Sequence, residues 1–368
     1  MKKIRMKWRL IVLMIITIIA IIVVLLSGYG KKKAGSDVIF DFSCRQAFSD
    51  DGLITIDDDG CICYTDDETG IMMPLCTRPN CLHDKAGTRE EQEKCNALYL
   101  DGEIVAAFMI NRRLYVLTNE GQNHAVMYRS DFDGSNRRKI AEAGFSADSY
   151  RIQMRRQVLY FTARVYTYDL SGMPSEEMDY FIAGYDLNKN RFEEITERHH
   201  DYGQINIMGI DDEKITYLLQ ERSEAMAIDE DDFDKAFEGE KIIQHSFSDG
   251  SDKVVFEEAF RAATYYNDII YYQTYQEDVY TLYAYDCKQG TDTELHKGES
   301  DAVYFVNGKI LLWSEMTDWQ HQMRPVCEFK DKLLIWDVGD PEDVVSGIIH
   351  PSDYLDNVPN ITYLKRSE

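Results

Sequence analysis

RRLYVLTN (112–119) decides the fold because it recurs. QVLYFTA (157–163), EKITYLLQ (213–220), DIIYYQT (268–274) and GKILLWSE (308–315) are runs of the same kind, and their starts lie 40 to 56 residues apart. Each follows another short apolar run: IVAAFMI, YRIQMR, INIMGI, RAATYY and AVYFV. Each precedes a strand–turn–strand unit: MYRSDFDGSNRRKI, AGYDLNKNRFEEI, QHSFSDGSDKVVF, YAYDCKQGTDTEL and, more loosely, LLIWDVGDPEDVV (333–345). Asp133-Gly134 and Asp249-Gly250 are hairpin turns, since both residue types tolerate positive φ. Four strands per period is the signature of a propeller blade. GLITIDDDGCICYTDDETGIMMPL (52–75) supplies most of a sixth blade, and NITYLKR (360–366) is expected to give its missing first strand and close the ring. The expected fold is therefore all-β, a six-bladed β-propeller with seven blades as the alternative. A sandwich would lack this period.

The links are uneven. Those between first and second, and third and fourth, strands are short. The long links, 164–180, 221–241 and 316–328, join second to third strands, and the Cys-rich segment 76–97 joins one blade to the next. By strand alternation all four are expected on one face, the expected binding surface. SEAMAIDEDDFDKAFEGE (223–240) is acidic with apolar residues interspersed. Trp319 and His321 in MTDWQHQMRPVCEF are expected on that face as recognition anchors, or else packed under their own loop. His199-His200 with Asp201 is read as a metal or proton-transfer pair, or as a solvated turn. Asp131-Phe-Asp133-Gly-Ser-Asn136 spaces oxygens like a calcium loop but lacks the distal glutamate, so it is read as a hairpin.

Leu10–Leu26 reads LIVLMIITIIAIIVVLL, and through Tyr29 it forms about 20 residues, or roughly 30 Å of helix, enough to cross a bilayer. Five basic residues precede it and three follow, which orients the N-terminus to the cytoplasm. Leu26-Ser27-Gly28-Tyr29 resembles a lipobox with tyrosine where the lipidated cysteine belongs. The expected organisation is a cytoplasmic basic segment (1–9), a transmembrane signal anchor (10–29), a linker (30–45) and an extracytoplasmic propeller (46–368) on a single-pass membrane protein. Outside residues 1–33 the chain carries 32 basic against 65 acidic residues. Such a body repels phosphate backbones, so nucleic acid is excluded as a partner. An unknown surface ligand or protein is the expected partner.

The eight cysteines include the run Cys76-x4-Cys81-x-His83-x11-Cys95. Three thiols and an imidazole can fill a tetrahedral zinc shell and staple a polar loop. A Cys76–Cys81 or Cys81–Cys95 disulfide, or free thiols, are the other readings. Cys61 and Cys63 are expected to point to opposite faces and so to share no site. Cys44, Cys287 and Cys327 are read as small buried hydrophobes or exposed singles.

PLCTRPNCLHD (74–84) with Cys95-Asn-Ala resembles a signature of uncharacterised cell-surface propellers of anaerobic Gram-positive bacteria, similar to TolB-like six-bladed propellers. The resemblance spans roughly residues 50–365, but only the Cys/His run is specific. It implies a surface location and six blades, and it carries no established activity. Tyr29 departs from the lipid anchor usual there.

The chain shows no G-x-S-x-G elbow, no H-E-x-x-H and no phosphate-binding glycine loop. A ligand-binding or protein-interaction module is the expected function. The alternative is a surface hydrolase or lyase with its site at the channel mouth. Converging His, Arg and carboxylate side chains there would favour the enzyme, and an apolar mouth would favour binding.

Overall fold

The structure is a computed structural model that describes residues 38–41, 43–81, 83, 87–168, 174–200, 204–220, 240–258, 260–276, 279–298, 302–338 and 346–366. The expected anchor at 10–29, the residues of the acidic insertion up to 239, and Asp201 lie outside the described residues. Among the described residues no helix is long and apolar enough to cross a membrane.

Among the described residues the chain forms six sheets of four or more strands, the six blades. In chain order, blade 2 is built on Glu103–Ile110, Arg113–Asn119, Ala125–Asp131 and Arg138–Ala143. Blade 3 is built on the long pair Val158–Tyr168 and Pro174–Asp186, blade 4 on Gln204–Ile210 to Asp252–Phe256, and blade 5 on Ala262–Tyr266 to Thr291–Gly298. Blade 6 holds Met323–Phe329, Lys332–Asp337, Ser346–Ile349 and Thr362–Tyr363. Val303–Val306 and Lys309–Leu312 form a separate two-stranded sheet between blades 5 and 6. The repeat pattern places 308–315 and 333–345 in one blade. Instead, two helical turns, Trp313–Glu315 and Asp318–Gln322, interrupt the chain, and Met323–Phe329 starts a new blade.

Four of the first hairpins share one turn chemistry. Asn111-Arg112, Arg156-Gln157, Asn267-Asp268 and Asn307-Gly308 each have both central residues at positive φ, between 50° and 69°. These are two-residue turns of the type whose twist matches the flanking strands, and asparagine or glycine lowers their strain. The turns also tie neighbours together. Arg112 N–H donates to Asp51 at 3.0 Å, Arg155 and Arg156 grip Asp212 at 2.9 and 2.6 Å, and Asn307 N–H donates to Glu328 at 2.6 Å. Lys214 pairs with Asp268, and Lys330 pairs with Asp50.

Blade 1 closes the ring, but not as the sequence implied. Its first strand comes from local chain, Gln46–Ser49, which forms a tight hairpin with Gly52–Ile56. A local hairpin has little loop-closure entropy to overcome. The C-terminal tail instead takes the outer edge. Thr362–Tyr363 ends blade 6, Leu364 N–H donates to Ser346 O at 2.9 Å, and Lys365–Arg366 then pairs in parallel with Ile71-Met72 of blade 1. Gly70 makes this possible. It sits at φ +73°, and a Cβ there would lie 2.0 Å from the carbonyl oxygen of Tyr363.

The boundary of the expected linker also moves. Ile39–Phe40 pairs with Gln46–Ser49 and touches both the first strand of blade 6 and Gln153–Arg155 of blade 3. Those blades are opposite one another, so residues 38–41 cross the ring's centre. Val38, Phe40 and Cys44 are buried there, and Phe40 meets Phe108 edge-on with centroids 5.7 Å apart.

Unfolding measurements test both the closure and the latches. Gly70→Ala forces a side chain into a left-handed, backbone-crowded position, and urea unfolding should show a loss of about 1–3 kcal/mol. Asp268→Asn reports on the latches. Burial raises the Asp268 pKa, but hydrogen bonds from Lys214, Lys288 and Tyr265 outweigh it and hold the carboxyl below its usual range. A depressed folded pKa gives stability that is present above the unfolded value, about 3.9, and is lost as pH falls. Asp268→Asn should therefore cost roughly 1–3 kcal/mol at pH 7. The gap to the parent chain should narrow in unfolding curves measured below about pH 4.

Candidate metal centre

The Cys-rich link leaves the last strand of blade 1, Ile71–Pro74, and ends at the first strand of blade 2. Its middle is ordered by a one-turn helix, Arg89–Glu93, with a capping box in which Thr88 and Glu91 satisfy each other's backbone N–H groups. The ends of the link are fixed by backbone pairing to blade 1. Leu75 N–H donates to Ile62 O, and Ile62 N–H donates to Ala97 O, both at 2.9 Å. Cys76 and Cys95 are therefore both anchored beside Ile62.

Cys76, Cys81, His83 and Cys95 converge, with every pair of donor atoms within 4.8 Å. Asn80 and His83 reach this arrangement through left-handed backbone, at φ 59° and 51°. Cys95 is buried, and the other three are half-buried. The Cys95 thiol lies 3.5 Å from Nδ1 of His83. Asn96 N–H points at the Cys76 sulfur at 3.5 Å. Burial raises the Cys76 pKa, but backbone N–H groups of Arg78 and Asn96 and the thiols of Cys81 and Cys95 bring it below its ordinary value. Burial, with the neighbouring thiols, pushes Cys95 up to about 12.

This geometry fits a four-donor metal. A tetrahedral shell with Zn–S bonds of about 2.3 Å spaces its sulfurs about 3.8 Å apart. A disulfide would draw two sulfurs to about 2.05 Å and leave a thiol and the imidazole without a role. All eight cysteines are free thiols in the structure. Four protein donors close a shell, so such a centre holds structure and offers no open position for a substrate. A cavity of about 220 Å³ opens beside it, lined in part by Arg78, Asn80, His83, Glu91, Lys94 and Leu98.

The link makes its own contacts with blade 2. Its base sits on the outer turn of blade 2, which belongs to the opposite set of links. Thr77 donates to Asp133 at 3.3 Å, Arg137 donates to Asn96 O at 2.6 Å, and Arg137 lies 3.7 Å over the Tyr99 ring. Gly134 is fitted to this seat, because a Cβ there would fall 2.7 Å from Leu75 O. Strongly twisted blades bring outer turns beside the next link, which strand alternation alone does not capture.

The other sequence-derived candidates lie apart. His199–His200 is an edge strand on Pro174–Asp186 rather than a turn, and His200 Nδ1 meets Asp179 at 2.7 Å. The expected long link 164–180 is mostly that blade's paired strands. Trp319 lies in the helical turn 318–322, edge-on to Tyr354 at 5.2 Å, with its indole N–H on Asn357. His321 stacks on Trp313 at 4.2 Å and bonds its carbonyl at 2.9 Å. His321 is engaged near its own segment, whereas Trp319 is held by the chain around the helical turn Pro351–Leu355. In the 131–136 turn the oxygens serve the hairpin: Asn136 donates to Asp131 at 2.6 Å and Ser135 to Asp133.

One expectation about the cysteines is overturned. Residues two apart share a face of extended chain. Cys61 and Cys63 are both fully buried and lie in one cluster with Cys95, Ala97 and Leu98, while Ile62 faces the opposite core. Asp57, Cys61 and Cys63 form a second set of donors within 4.8 Å of one another. The C-x-C spacing was the signal for it.

No family model matches the chain, and no curated protein matches it. Solved structures with a distant likeness include TolB from Acinetobacter baumannii, at 13% identity and TM-score 0.37, covering 86% of this chain and 60% of that one. An oligogalacturonate lyase in complex with manganese has 9% identity and TM-score 0.39, covering 87% and 76%. An uncharacterized protein from Listeria monocytogenes has 10% identity and TM-score 0.35, covering 88% and 82%. This chain thus spans under two thirds of that TolB. Each is a likeness in outline of fold alone.

Proposed function

We propose that the protein is a membrane-anchored, extracytoplasmic β-propeller that serves as a ligand-binding or protein-interaction module, with a structural zinc ion stapling its Cys-rich link. The observation that carries this reading is the closed four-donor set of Cys76, Cys81, His83 and Cys95 on a surface link beside a cavity. A closed shell stabilises a recognition surface and does not turn over substrate. The ring's centre points the same way. Val38, Phe40 and Cys44 are buried in it, and the nearby acid, Asp41, is occupied by Gln46 N–H at 2.9 Å and Ser43 at 2.5 Å. An apolar plug favours the module over the hydrolase or lyase.

The anchor reading rests on the apolar run 10–29 and its basic flanks. Residues 30–37 can reach at most about 3.5 Å each before the chain enters the ring. The propeller is thus held close to the bilayer, with its axis at the attachment point.

Two measurements test the proposal. In the full chain, purified in mild detergent with reductant and without chelator, Cys81→Ser or His83→Ala should each remove one equivalent of zinc, read by mass spectrometry. Zinc content untouched by both, with Cys81 recovered in a disulfide-linked peptide, would sink the staple. In cells, the full chain should resist carbonate extraction, and its propeller should be cut by protease added outside the cytoplasmic membrane. Carbonate-soluble protein protected from that protease would overturn the location.

A further inference from the structure

The second thiol cluster has chemistry that the first centre does not use. Cys61-Ile62-Cys63 lies beside the segments that deliver Cys76 and Cys95, held by the Ile62 hydrogen bonds to Leu75 and Ala97 and by the pairing of Cys63 with Pro74. Through the short turn Asp58-Asp59-Gly60, Asp57 folds back onto this strand. Its Oδ1 accepts the Cys61 N–H at 2.8 Å, and Gly60, at φ +71°, closes the turn with its N–H on Asp57 O at 2.9 Å. A carboxylate is thereby held within 4.8 Å of two thiols that solvent does not reach.

Buried cysteines are commonly small hydrophobes. Here, however, a half-buried carboxylate that also caps the turn stands beside both of them. A carboxylate oxygen and two sulfurs converging from a preformed turn and strand are instead the donors of a thiophilic divalent cation. Cys95, a donor of the first set, packs in the same cluster and brings the two sets side by side.

We propose that Asp57, Cys61 and Cys63 bind a second thiophilic cation of the zinc class, adjoining the first through Cys95, so that the link is built on a two-metal thiolate centre. Binding releases the two thiol protons, and the cation's charge offsets the carboxylate and the two thiolates so formed. The proposal rests on the first centre only for the adjoining Cys95, and Asp57, Cys61 and Cys63 belong to the second alone.

The test uses cadmium(II), added to the metal-stripped full chain in detergent under reductant, with thiolate-to-metal charge-transfer absorbance and bound metal both recorded. Two equivalents are expected for the parent chain. Asp57→Asn keeps the acceptor for Cys61 N–H, so the turn survives, yet it should weaken the second equivalent by about tenfold or more. Cys61→Ser should abolish that equivalent, and Cys81→Ser should leave it in place. If Cys61→Ser fails to fold, Asp57→Asn still decides. A single equivalent that both Asp57→Asn and Cys61→Ser leave unchanged, and that Cys81→Ser removes, overturns the second site and keeps the first. Loss in Asp57→Asn with none in Cys81→Ser keeps the second and overturns the first. No binding by the parent chain overturns both.

Discussion

Ring closure is the constraint on which the rest of the structure depends. Each blade leaves strand edges that would otherwise recruit other chains, and the ring is stable only when the first and last blades meet. Here both ends of the propeller serve blade 1. Ile39–Phe40 adds to its inner side and reaches across the centre, while Lys365–Arg366 covers its outer strand in parallel. The closure depends on Gly70, whose missing side chain lets Tyr363 pass within contact of the backbone. Because the tail is paired to blade 6 at Thr362–Tyr363 and to blade 1 two residues later, neither blade can leave without breaking the other's edge.

Between those ends, stability is distributed. Each latch from one first-hairpin turn to its neighbour is partly exposed and individually weak. They occur in series, however, and they sit on turns whose left-handed geometry already fixes where the charged groups point. Aromatic contacts within and between sheets contribute more, because they bury large apolar surfaces. Phe145 meets Phe161, Phe181 and Phe192, and Phe256 meets Tyr272 and Tyr285. The abundant tyrosine of this chain is thus used as strand filling, with Tyr217 and Tyr272 keeping their hydroxyls on Asp252 and Asp292 at the sheet edge.

The sequence made the repeat legible because a strand that packs on both sides must be apolar or aromatic and must be followed by a turn. RRLYVLTN and its copies satisfy both conditions, and blades 2 to 5 fall where the copies are. Legibility failed where register is set at a distance. Nothing local distinguishes a tail that completes the inner side of blade 1 from one that adds to its outer side, since NITYLKR suits either. It failed also at 303–312, where a hairpin with the blade signature is left as two strands because helical turns follow it. Among the donors, Cys76, Cys81, His83 and Cys95 could be grouped by proximity in the chain. Asp57, Cys61 and Cys63 required the strand's own period, which places Cys61 and Cys63 together and Ile62 in a different core.

The position of the thiol-rich centre follows from the same constraint as closure. The four main strands of blade 1 are only four or five residues long, and this blade must hold both ends of the propeller. Its three inner strands are almost wholly buried, while the last, Ile71–Pro74, is partly exposed. The link that leaves it is polar and long, with an ordering entropy that its one-turn helix cannot offset alone. Donors from blade 1, at 57, 61 and 63, and from the link, at 76, 81, 83 and 95, converge where the two meet. Coordination there would cross-link blade 1 to its long polar link, and the seat of that link on Asp133 and Arg137 would pass the constraint to blade 2. In this arrangement, metal chemistry would tie the link to the point where the ring closes.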